Sequence, residues 1–160
     1  MNRIGILIGV VVLLGLAVFL LTREPAPERE KNWPALDGQI VPAIINGQEL
    51  QLEVAASPAS ITQGLSGRNS IGADGLIFVF AEPQQQHFWM KEMKFALDIV
   101  WIQDDTVQQV TADVPFPDPL IPLFELPTYS PDSPVNMVLE VPAGKAAEWQ
   151  VIPGTKIEWK

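Results

Sequence analysis

Lys91, Asp98 and Glu140, with Arg68 and His87 as further basic groups, are the side chains of this sequence whose types suit proton transfer. Two carboxyls and a lysine facing one cleft could serve a hydrolase or a lyase by general acid–base chemistry. The surroundings argue for a quieter role. Lys91 follows Phe88, Trp89 and Met90, and Asp98 sits between Leu97 and Ile99. Burying a lone charge in such apolar runs is prohibitive, so each group must reach water or find partners. On a strand, Leu97, Ile99 and Trp101 share one face while Asp98, Val100 and Ile102 share the other. Asp98 is therefore expected to be at least half buried, held by an ion pair with Lys91 or capping a turn. Arg68, Phe88, Trp89, Lys91, Asp98 and Glu140 make up the candidate binding or structural site. No residue is assigned a catalytic role, and the acid–base reading stands as the alternative.

Other chemistries find little support. The chain has no cysteine and one histidine, His87, which removes disulfides, thiolate sites and a His-rich transition-metal centre. Between Phe95 and Gly144 there are eight acidic residues and no basic one, yet no spacing resembles a calcium loop. A solvated acidic face is the expected outcome, with neither metal nor cofactor. From Asn32 onward six Lys and Arg stand against sixteen Asp and Glu, a formal charge of −10. Such a surface repels phosphate backbones, so nucleic acid is excluded as a partner.

The elements that must position these groups read mostly as strands. Gln39–Ile45 and Gln48–Ala55 flank Asn46-Gly47, the strongest two-residue hairpin signal. Pro42 suggests that the first strand is an edge. Ser57-Pro58 starts a short helix that Gly64 or Gly67 stops. Gly75–Phe80 is apolar on both faces, the mark of a strand covered on two sides. His87–Met90 and Leu97–Gln103 are expected to pair with it or with each other. Asp104-Asp105 forms a turn into Val107–Val114; Asn136–Val141 is a strand, a short helix spans about 142–149, and Thr155–Trp159 closes the chain. The expectation is a mostly β (α+β) domain: a compact, barrel-like antiparallel or mixed sheet with two short helices, behind one N-terminal transmembrane helix.

That helix is expected over Ile4–Leu21, eighteen residues without a charge or proline. At about 1.5 Å per residue it spans roughly 27 Å, close to the hydrocarbon thickness of a bilayer. A cleaved signal peptide would end in small residues, whereas Leu20-Leu21-Thr22-Arg23 follows here. The division is thus an anchor over residues 1–22, a Pro- and charge-rich linker over 23–38 and one globular domain over 39–160. The count of basic residues around the span favours a cytoplasmic domain, but long C-terminal domains translocate largely regardless of such charges. A single-pass protein with its domain outside the cytoplasm, periplasmic or extracellular, is the expectation.

Val114–Pro134 holds seven prolines together with Phe116, Leu120, Phe124 and Tyr129. Loops of this length are uncommon in a small domain. It is either a proline-stiffened flap packed over the end of the barrel or a partner-binding surface.

Five ordered blocks carry a resemblance: Gln63-Gly64-Leu65 with Gly67-Arg68; Gly75-Leu76-Ile77-Phe78-Val79-Phe80; Phe88-Trp89-Met90-Lys91; Leu97-Asp98-Ile99; and Val138-Leu139-Glu140-Val141-Pro142-Ala143-Gly144. Over about residues 48–159 the chain resembles the uncharacterised family called domain of unknown function 192. The resemblance implies a compact, mostly β domain, often behind an export signal or anchor, and no established enzymatic activity. The chain departs from that pattern at Glu92, Met93 and Ala96, and it lacks cysteines in the Pro-rich loop. Together these readings point to a membrane-anchored domain that acts by contact with an envelope protein, a peptide or a glycan.

Overall fold

The computed structural model describes residues 33–160. The expected anchor over residues 4–21 and most of the linker lie outside the described residues. Among the described residues no helix is long and apolar enough to cross a membrane.

Nine strands follow one another: β1 (Ile40–Ile45), β2 (Gln48–Ala55), β3 (Gly75–Gln84), β4 (Phe88–Trp89), β5 (Leu97–Gln103), β6 (Thr106–Val114), β7 (Thr128–Tyr129), β8 (Val135–Pro142) and β9 (Ile157–Trp159). Helix α1 (Pro58–Gln63) lies between β2 and β3, and α2 (Lys145–Glu148) between β8 and β9. Seven strands form a mixed sheet in the order β6-β5-β8-β3-β2-β1-β9, with only β2 and β3 parallel. At one corner the two ends of this sheet meet. The Val107 amide donates to the Thr155 carbonyl at 2.9 Å, and Gly154 and Ile157 donate back to Val107 and Asp105 at 2.8 Å. The sheet is thereby a half-barrel, mostly β with two short helices.

Local chemistry explains much of this. Asn46 and Gly47 adopt φ of 50° and 80°, and Ile45 pairs with Gln48 across the two-residue turn. Ser57 caps α1: its hydroxyl accepts from the Ser60 amide while the Ser60 hydroxyl accepts from the Ser57 amide. Asp37 adds acceptors for the Ala56 and Ser57 amides, and these bonds, the Ser60 hydroxyl foremost, hold its carboxyl well below the usual range. Trp33 meets Trp159 edge to face with ring centroids 5.0 Å apart. Trp33 and Asp37, expected in the linker, thus contact the domain.

The sheet buries side chains on both faces. Its inner face gathers Val54, Ile77, Val100, Ile102, Leu139 and Ile157 from across the sheet. The outer face of β3, β5 and β8 carries Phe78, Ile99, Trp101 and Val138, covered by Leu65, Met90 and Met93 from the loops. β3 is covered on both sides, as its apolar run requires.

Strand pairings and one helix start differ from expectation. β4 leaves the main sheet and pairs with β7, Phe88 opposite Tyr129 and Trp89 opposite Thr128. β1 is not an edge, because Ala43–Ile45 pairs with β9. The Pro42 carbonyl accepts from the amide of Lys160, so the polar edge of Pro42 points to the side where β9 ends and its missing N–H leaves no gap. Pro142 closes β8, and Gly144, with φ of 86°, precedes α2 in its place.

Gly75 shows how tightly β3 is seated. A Cβ there would lie 2.8 Å from Leu139 Cδ1 and 2.9 Å from the Glu140 carbonyl oxygen. Main chain cannot yield cheaply. Gly75→Ala is expected to cost about 2 kcal/mol, read as a lower urea midpoint with unchanged slope; a neutral result would mean that β3 and β8 sit further apart.

Candidate ligand-binding cleft

Asp98 and Glu140 occupy neighbouring strands at nearly the same level: Asp98 is opposite Val141, and Ile99 opposite Glu140. Because side chains alternate along a strand, the two carboxyls project from opposite faces of the sheet. Asp98 points inward and is fully buried. One carboxyl oxygen accepts from the Asp113 amide at 2.8 Å, the other from the Ala146 amide at 2.9 Å. It caps a turn and a helix end rather than pairing with Lys91. Lys91 instead lies 3.8 Å from Glu92 and 5.9 Å from the centre of the Trp89 ring. Lys91, Asp98 and Glu140 therefore do not converge.

Glu140 points outward, into a cleft of about 330 Å³ between the end of α1, the outer face of β3 and the segment leading into β4. Gly64, Leu65 and Ser66 form one side. Gly64 ends α1 at φ of 49°, and a Cβ there would stand 3.2 Å from the Phe78 ring, so glycine lets the helix end rest on that aromatic. The Ser66 hydroxyl donates to the Lys91 carbonyl at 2.9 Å and the Gly67 amide to Glu92 at 3.0 Å, fixing this loop against the turn after β4. Phe78, Phe80, Phe88 and Trp89 supply aromatic lining. Phe88 is wedged edge-on between Phe78, at 4.9 Å, and Trp101, at 5.6 Å, whereas Trp89 is half exposed.

Two buried polar residues, Glu140 and Gln86, border this cleft. Glu140 is 5 % exposed, and desolvation pushes its carboxyl up to about 8, against a weaker opposing pull from Arg68. Gln86 is 6 % exposed, and its amide nitrogen has no hydrogen-bond partner among the described residues. Native interiors seldom leave such groups unsatisfied. Arg68 is committed elsewhere, in a two-pronged contact with Glu53 at 2.6 and 2.8 Å. That contact holds the Glu53 carboxyl below its usual range and raises the guanidinium, and both groups are partly exposed.

The far end of the Pro-rich loop returns to the cleft. His87 Nδ1 and the Ser130 hydroxyl are 2.8 Å apart, and the Gln85 amide donates to the Pro131 carbonyl. Tyr129 packs against the outer core through β7, so it belongs to the wall and not to the exposed loop. Leu120 and Phe124 are 88 % and 86 % exposed, with Phe116 about half exposed. Among the described residues no group of three His, Asp or Glu side chains converges as a metal site would require.

Gln86, Phe78 and the α1 end were not among the site residues expected from sequence. The available cue was period two: Gln86 alternates with Phe88 and Met90 on the buried side of the segment through β4.

Comparisons with known proteins agree with this architecture. A proposed transcription regulator from Sinorhizobium meliloti 1021 is 27% identical, with a TM-score of 0.66 over 77% of this chain and 95% of its own. A protein of unknown function from Novosphingobium aromaticivorans DSM 12444 is 28% identical, with a TM-score of 0.65 over 86% and 94%. None of the curated proteins matches the chain. The family model described as uncharacterized ACR matches residues 41–159, and the chain belongs to that family, domain of unknown function 192.

Proposed function

We propose that this is a binding domain acting by contact, and that the cleft around Glu140 and Gln86 is its ligand site. The observation that carries this reading is an aromatic-lined cleft bordered by two buried polar residues, Gln86 with an unpartnered amide nitrogen and Glu140 with a carboxyl raised by desolvation. A few convergent polar groups in an apolar concavity are the usual make-up of a small-ligand site. Turnover is the weaker reading, because the carboxyls that could have shared acid–base work face opposite sides of the sheet. The Ser130–His87 contact does not restore it. Among the described residues no acid holds the other imidazole nitrogen, so the orienting group of a serine–histidine hydrolase is missing. A role on DNA, which the Sinorhizobium protein's description would suggest, sits poorly with a chain of formal charge −9.

The domain works outside the cytoplasm, tethered through residues 4–21, as an accessory to an envelope protein or glycan. The eighteen-residue apolar run supports this placement. Alkaline phosphatase fused after Lys160 is expected to be active in cells; activity only in a cytoplasmic reporter fused at the same place would reverse the orientation.

Binding at the cleft is tested by soaking crystals with a small set of neutral, cationic and anionic fragments and screening the same fragments for conversion. Fragments are expected to occupy the space beside Gln86 and Glu140 and to be recovered unchanged. Occupancy elsewhere, or a product, would sink the reading.

A further inference from the structure

We propose that the cleft takes an uncharged ring bearing hydrogen-bond acceptors, of the kind an N-acetylated pyranose presents, with Gln86 and Glu140 as its hydrogen-bonding partners and the aromatic lining against its C–H faces. This rests on the reading of the cleft as a binding site and adds the chemical class of its ligand.

Charge selects against the alternatives. An anion would need a free cation, but Arg68 is held by Glu53 on two prongs and Lys91 stands beside Glu92. A cation would be opposed by Arg68, whose field already reaches Glu140, and Lys91 already stands over the Trp89 ring. What the cleft offers is donors. The Gln86 amide nitrogen is buried and unpartnered. Glu140, kept as its acid near neutral pH by burial, adds an O–H. Matching them takes carbonyl or hydroxyl oxygens without net charge, and an N-acetyl group with ring hydroxyls carries both. The size agrees, since about 330 Å³ is at the small end of ligand clefts and suits a ring rather than a long chain. The half-exposed Trp89 and the faces of Phe80 and Phe88 give a flat apolar surface for such a ring.

A proton dependence follows, because an ionised Glu140 would repel the acceptor that its acid form binds. The groups around Glu140 are few. Leu76 and Phe78 of β3 and Ile99 of β5 flank it in the sheet, Arg68 with Glu53 behind it comes from the turn after α1, His87 from the approach to β4, and Lys91 with Glu92 from the turn beyond.

The test is a calorimetric titration of the full chain in detergent micelles with triacetylchitotriose at pH 6.5 and 9.5. Wild type is expected to bind about 30-fold more weakly at the higher pH, the fraction of acid left for a group that titrates at about 8. Glu140→Gln, which stays neutral, should bind equally at both values; if His87 were the source of the pH effect, this variant would retain it and the proposal would fail. Gln86→Leu should weaken binding about tenfold at either pH. Choline and glucuronate should not compete. Equal wild-type affinity at both pH values, indifference to Gln86→Leu, or displacement by either charged probe would overturn the ligand class. If charged fragments occupy the cleft and triacetylchitotriose does not bind, the class is wrong and the cleft remains a binding site. If no probe of any class occupies the cleft, both readings fall.

Discussion

Glu140→Gln is expected to make this domain more stable, by on the order of 3 kcal/mol at pH 7 and by nothing below about pH 4.5. The sign follows from where the proton sits. In the unfolded chain the carboxyl titrates near 4.5; in the fold, burial moves it to about 8. Between those values the native state holds a proton that the unfolded state has released, so raising the pH favours unfolding. The wild-type curve should therefore fall from pH 4.5 to about 8 and level off above it, while the glutamine variant lacks that component. Glutamine keeps the shape and remains as unpartnered as the acid, so packing changes little. At pH 7 the melting temperature should rise by roughly 10 °C in a domain of this size. Parallel pH profiles for the two proteins would mean that Glu140 has water or a partner in the folded chain. An acid that weakens its own fold is a feature expected of a site and hard to account for as architecture.

The split between what was legible in the sequence and what was not follows the range of the interactions. Asn46-Gly47 and Ser57-Pro58 announce their turn and cap because the bonds involved close within a few residues. Gly75–Phe80 announces a doubly covered strand because period two was absent from its apolar pattern. The burial of Asp98 and its face were also readable from alternation alone. Its partners were not. The amides it caps lie 15 and 48 residues away, and nothing near Asp98 in sequence says that they arrive there. Lys91 was expected on the strand preceding Asp98, but β4 turns out of the main sheet to meet β7, and that pairing carries Lys91 away from β5. The cleft was hidden for a related reason. Its two buried polar residues come from β8 and from a glutamine run that reads as a polar turn, and only the tertiary fold brings them together beside the end of α1.

Asp98 and Glu140 present one chemical problem, a carboxyl on a central strand, with two outcomes. The inward carboxyl is satisfied by two backbone N–H groups, whereas the outward one, among the described residues, meets only the weaker pull of Arg68. A domain that needed both only for stability could have treated them alike, by capping or by replacing each with an aliphatic residue. On the proposed function, the inner face of the sheet carries architecture and the outer face recognition.

Asp98→Ala should accordingly be the most damaging single substitution on the inner face, at about 3–5 kcal/mol. β6 is irregular opposite Asp98, where the register shifts between Leu97 and Ile99 and Asp113 adopts φ of 53°. The amide that this bulge turns out of the ladder is the one that Asp98 receives. On its other side, α2 begins at Gly144 and has no side-chain cap of its own. Asp98 supplies one from across the sheet, accepting from Ala146 in the first turn. Truncation leaves the buried Ala146 N–H and the part-buried Asp113 N–H without acceptors, each costing roughly 1–3 kcal/mol, and a small cavity besides. Asp98→Asn keeps one acceptor but turns an NH₂ toward an N–H, so it should recover less than half of the loss. Urea denaturation monitored by tryptophan fluorescence gives both numbers, and a cost under 1 kcal/mol for alanine would mean that water replaces the carboxyl. The cleft lies on the opposite face of the sheet from this bolt. The alanine variant, studied below its lowered melting temperature, should therefore bind cleft ligands with wild-type affinity, whereas Gln86→Leu should keep wild-type stability within about 1 kcal/mol and bind about tenfold more weakly.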